Sequence, residues 1–89
     1  MAVGDIVNGK AVGVMTFQPA VGVEVMITSY MESTGGPAAL WNGTSGANYS
    51  AAQGNRQSEM KMMIDNTNYF YSAGAGALET GYCGIVLKE

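Results

Sequence analysis

The stretch Val21-Gly-Val-Glu-Val-Met-Ile27 decides the fold. Val21, Val23, Val25 and Ile27 fall on one parity, and Gly22, Glu24, Met26 and Thr28 on the other. In an extended chain this puts branched apolar side chains on one face and Glu24 on the opposite one. Branched residues also pack well on a pleated surface and lose rotamer freedom in a helix. The segment therefore reads as a strand.

Outward from it, Gly35, Gly36, Gly43, Gly46, Gly54, Gly74, Gly76, Gly81 and Gly84 interrupt the chain every few residues. A glycine costs a helix interior ~1 kcal/mol against alanine, so the spacing disfavours long helices. Further strands are predicted over Val12 to Phe17, Ala38 to Trp41, Met60 to Ile64, Tyr69 to Tyr71 and Tyr82 to Leu87. In the last, Cys83, Ile85 and Leu87 share a face opposite Gly84, Val86 and Lys88. Asn8-Gly9 and Asn42-Gly43 are dipeptides that suit tight turns, and Asp65-Asn-Thr-Asn68 reads as a loop between paired strands. Ser72-Ala-Gly-Ala-Gly-Ala77 reads as a further loop.

The Met60 to Ile64 segment carries a competing signal. Ser58 could cap a helix in which Met60, Met63 and Ile64 have i, i+3, i+4 spacing. The polar loop and the aromatic run Tyr69-Phe-Tyr71 that follow favour a strand instead. The expected architecture is all-β: one domain over residues 1–89, a small antiparallel β-sandwich or barrel.

Composition narrows the function. The 89 residues suffice for one thin core, and small folds usually add disulfides, a metal or oligomerisation. Cys83 is the only cysteine, histidine is absent, and the carboxylates are scattered, so no disulfide, metal or cofactor is expected. Oligomerisation remains. Charged residues make up 12% of the chain and hydrophobic ones 47%, which leaves few charges to cover the surface of a monomer. Lys10, Arg56, Lys61 and Lys88 are the only cations against a net charge of -3, a poor footprint for nucleic acid. No apolar run suits a membrane helix, and Met1-Ala-Val-Gly-Asp5 does not look like a signal peptide. Synthesis in a cytoplasm is expected.

Catalytic chemistry finds no foothold, and the chain is expected not to be an enzyme. Without histidine the usual general base is missing, and Asp5, Glu24, Glu32, Glu59, Asp65 and Glu79 form no paired-carboxylate motif. Cys83, beside Tyr82 and Ile85, is expected to be an inert buried thiol. Gly74-Ala-Gly76 lacks the third glycine and the lysine of a phosphate loop. The sequons at Asn42 and Asn48 are read as coincidental. Met26, Met60, Met62 and Met63 suit an adaptable recognition surface, and Trp41, Met60, Met62 and Met63 are the candidate partner interface, because methionine adapts to irregular surfaces and tryptophan anchors them; core filling is the other reading of each.

Read in order, Gly4-Asp-Ile-Val7, Gln18-Pro-Ala20 with Gly22-Val-Glu-Val-Met-Ile27, Leu40-Trp-Asn-Gly-Thr44, Ile64-Asp-Asn-Thr-Asn-Tyr69 and Gly81-Tyr-Cys-Gly-Ile-Val-Leu-Lys88 form a set of short motifs. The set resembles small virion structural proteins of tailed bacteriophages, marine and cyanobacterial ones included. The resemblance implies a β-sandwich oligomer that decorates the capsid or forms part of the tail, docked on coat or tail proteins in the virion. It implies no catalytic residue. The expected role is a capsid decoration or cement protein. The alternative is a tail-fibre or spike domain in which Trp41, Tyr49 and Tyr69 stack on host-surface glycans.

Overall fold

The computed structural model describes residues 2–12, 14–32, 38–48, 56–72 and 79–89; for 31, 32, 38, 48, 56–60, 79 and 80 it describes the backbone. Its strands are β1 (Ile6–Val12), β2 (Met15–Phe17), β3 (Glu24–Glu32), β4 (Ala38–Trp41), β5 (Gly46–Asn48), β6 (Arg56–Ile64), β7 (Tyr69–Ser72) and β8 (Glu79–Lys88). No described residue is helical. The 58–64 segment is strand, as the polar loop and aromatic run after it suggest.

Two antiparallel four-stranded sheets face each other. Sheet A has the order β1-β8-β3-β6 and sheet B the order β2-β7-β4-β5. Four of the pairings nest: β4 with β5, β3 with β6, β2 with β7, and β1 with β8. The chain is thus one long antiparallel ribbon whose successive strand pairs alternate between the sheets. Pairing of β8 with β3 and of β7 with β4 closes the roll. Eight strands wound in this way are a jelly roll.

The core lies between the sheets. Val25, Ile27, Tyr30 and Phe70 are 0% exposed and Val86 1%, with Val7, Met15, Ile64 and Tyr82 around them. Full burial of such side chains is worth ~1.5–3 kcal/mol each. Aromatic rings bridge the layers: Tyr82 of sheet A stacks on Phe17 of sheet B at 5.2 Å and tilts against Phe70 at 5.3 Å, and Tyr30 meets Phe70 at 6.0 Å. Burial pushes the Tyr82 phenol above the ordinary tyrosine range.

Local chemistry departs from the sequence reading at several points. Strand β3 begins at Glu24 rather than at Val21, which is 84% exposed in a turn closed by Val23 N donating to Ala20 O. Gly22 there has φ of 88°, a conformation that a side chain resists. The alternation then breaks. Ile27 pairs with Gly84 and Ser29 with Cys83, so Thr28 is a bulge residue, and its Oγ1 donates to Cys83 O at 3.3 Å. The extra residue turns Tyr30 to the core in place of Ser29.

Asn8-Gly9 is not a turn. It sits mid-strand in β1, where the Tyr82 ring lies against Gly9 and a Cβ there would be 3.1 Å from it. The predicted Val12 to Phe17 strand is instead the end of β1 and the whole of β2. Asn42-Gly43 does turn: Asn42 Oδ1 accepts from Thr44 N and Ser45 N, and Gly43 has φ of 93°. Asp65 Oδ1 accepts from Thr67 N and Asn68 N in the same manner. Yet β6 and β7 lie in different sheets, so this loop is a corner and not the expected hairpin. Cys83 is half-buried on the outer side of sheet A, not in the core. Ser72 closes β7 in the core, and residues 73–77 of its predicted loop lie outside the described residues.

Candidate interaction surface

In an antiparallel sheet with one wet face, apolar residues alternate with polar ones. Sheet A does not follow this. Its inner face carries the row Val7, Gly84, Ile27 and Met62, one residue from each strand, paired laterally across the sheet. The neighbouring row, which points outward, pairs Ile6 with Ile85, Ile85 with Met26, and Met26 with Met63. It too is wholly apolar. At strand spacing of ~4.8 Å the row runs about 14 Å across the sheet.

This outer row is open. Ile6 is 77% and Met63 62% exposed, while Met26 and Ile85 are half-buried between them. Leu87, the extra residue of a second bulge in β8, adds another exposed side chain on the Ile85 side. Gly84 beneath the row is fixed by backbone crowding: a Cβ there would meet Met26 O at 2.5 Å. The glycine brings β8 close to β3 and holds Ile85 beside Met26.

Of the residues singled out in the sequence, Met26 and Met63 stand in this row. Met62 faces inward and packs against the core, and nothing is described of the Met60 side chain. Trp41 lies on the far side of the molecule, on the outer face of sheet B, where it pairs across strands with Tyr69 and stacks on Tyr71 at 4.8 Å. It leans on Gly46, whose Cβ would be 2.8 Å from its ring. Tyr49 lies outside the described residues. The four candidate interface residues are therefore not one patch.

Ile6 and Ile85 escaped sequence reasoning, although a signal was present. Ile6-Val7, Val25-Met-Ile27, Met62-Met-Ile64 and Ile85-Val-Leu87 are unbroken apolar runs, one in each strand of sheet A. Strands buried on both faces read this way.

At one end of the sandwich Gln18 Nε2 donates to Asn66 O at 2.8 Å, and Asn66 Nδ2 donates to Pro19 O at 3.0 Å. This reciprocal clasp ties the segment before β3 to the β6–β7 corner, and a hollow of about 200 Å³ adjoins it, lined by Val21, Glu24 and Asp65 among others. Among the described residues no group of three or more His, Cys, Asp or Glu is placed to hold a metal ion. Nor is any described helix long and apolar enough to cross a membrane. Comparison with known proteins finds no match to a family model, to a curated protein or to a solved structure.

Proposed function

We propose that this protein is a non-enzymatic virion structural protein, a capsid decoration or cement protein that works by docking on other protein chains. The observation that carries the reading is the outer row of sheet A, where Ile6, Ile85, Met26 and Met63 form an apolar band on a face that a free-standing monomer would make polar. Burial of that band against a partner returns the hydrophobic free energy that its exposure forgoes. The motif resemblance to tailed-phage virion proteins supports the setting. A jelly roll suits the role by analogy alone, since that architecture serves capsid and lectin domains alike.

Particles assembled without the protein should form but release their DNA at a lower temperature, and the purified chain added back should restore the original release temperature. Particles equally robust without it would refute the decoration role. Such particles failing to attach to cells would favour the second reading, a tail domain that recognises surface glycans. The specific observation on that side is the Trp41, Tyr69 and Tyr71 cluster on the outer face of sheet B. Copy number separates the two: hundreds per particle for decoration, a handful for a tail.

A further inference from the structure

We infer that the occupant of the outer row of sheet A is a second copy of this chain, packed face to face across a two-fold axis that runs along the row, with the strands of the two copies reversed. The inference deepens the structural reading above and rests on it for the biological setting only.

Area is the first argument. Strands of sheet A reach 7 to 10 residues. At ~3.3 Å per residue and ~4.8 Å between strands, the face measures roughly 19 by 25 Å. Both copies together then cover about 1,000 Å², the lower bound for a specific interface. Two sheets of like twist pack well when their strands run within about 30° of parallel or antiparallel. A flat apolar band on a twisted sheet finds its most complementary cover in another copy of itself.

Charge fixes the direction. The formal net charge of -3 sits at one end of sheet A. Asp5, Glu24, Asp65 and Glu89 lie along that end of the strands with Lys88, which approaches Glu24 at 4.0 Å. Elsewhere Lys10, Arg56 and Lys61 balance Glu32, Glu59 and Glu79. A two-fold axis parallel to the strands would stack the two acidic ends on each other. An axis along the row places them at opposite ends of the dimer, each over the part of the other copy's sheet where the formal charges cancel. Like charges brought together across an interface repel, so the second arrangement is favoured. In it each row residue meets its own copy: Met63 faces Met63, and Ile6 faces Ile6.

That geometry has a direct readout. In a Cys83→Ser background, Met63→Cys should be cross-linked to itself by a short bis-maleimide that spans the ~10 Å between packed sheets. Ile6→Cys should do the same. If instead only a mixture of the Ile6→Cys and Met63→Cys chains cross-links, the axis runs along the strands and the inference fails. Wild-type protein should have the molar mass of a dimer in solution, and Met63→Glu should weaken dimerisation by about a hundredfold or more with an unchanged circular dichroism spectrum. A wild-type monomer at tens of micromolar overturns the inference, even if that monomer binds particles and so leaves the decoration role standing. A self-cross-linked dimer from a chain absent from particles upholds the inference and removes the role.

Discussion

The two outward faces of the sandwich handle apolar side chains in opposite ways. On sheet B the aromatic residues cover one another: Trp41 stacks on Tyr71 and leans on Gly46, and Ala39 in the same strand is only 5% exposed. On sheet A the row residues lie side by side with nothing above them among the described residues, and the two that end the row are its most exposed members, Ile6 at 77% and Met63 at 62%. The first face resembles a small satellite core that stabilises its own sheet. The second gains nothing from its apolar character until something covers it. A single exposed apolar residue is ordinary, but an apolar residue from every strand at the same level of the outer face is what the proposed contact requires.

The largest effect on folding should come from the position that couples the two sides of sheet A. Gly84→Ala puts a Cβ at 2.5 Å from Met26 O and must push β8 from β3. A loss of about 2–3 kcal/mol is expected in urea unfolding, with the outer row disrupted as well. A wild-type midpoint would mean that the close approach is not required.

Next comes the contrast itself. Trp41→Ala should cost about 2 kcal/mol by removing the ring that packs on Tyr71 and Gly46. Met63→Glu should change folding stability by no more than about 0.5 kcal/mol, since its side chain is mostly in solvent. The association readouts should reverse this order. Trp41→Ala weakening self-association more than Met63→Glu would place the contact surface on sheet B.

The smallest effect is a pH dependence. The Tyr82 phenol titrates above its unfolded value because burial disfavours the phenolate. Its neutral form therefore contributes stability that is fully present below about pH 10 and is lost as pH rises through the raised folded value. Wild-type protein should lose more stability between about pH 8 and pH 11 than Tyr82→Phe does, as read from denaturant midpoints. Equal losses would contradict the assignment.

The all-β class and several strands were legible in the sequence because alternation and turn chemistry are local. Val25 and Ile27 point inward together as their shared parity requires, and Asn42-Gly43 turns. What failed depended on distant partners. Gly9 reads as half of a turn until Tyr82, far along the chain, lies against it. The bulge at Thr28 follows from the pairing of β3 with β8, so no local pattern could show that Tyr30 replaces Ser29 in the core. Equivalent Asx turns at Asn42 and Asp65 give a hairpin in one place and a corner in the other, because the sheet each strand joins is set by nested long-range pairing. Met26 and Met63 were legible as surface candidates. Their alignment with Ile6 and Ile85 needed the register of the whole sheet.

The measurement that tests the account most directly uses particles lacking the protein, to which wild-type or Met63→Glu chain is added before the temperature of DNA release is recorded. Wild-type chain should raise that temperature, and the Met63→Glu chain, folded to the same stability, should leave it at the level of bare particles. Equal protection by both chains would contradict the claim that the outer row of sheet A is the surface through which this protein works.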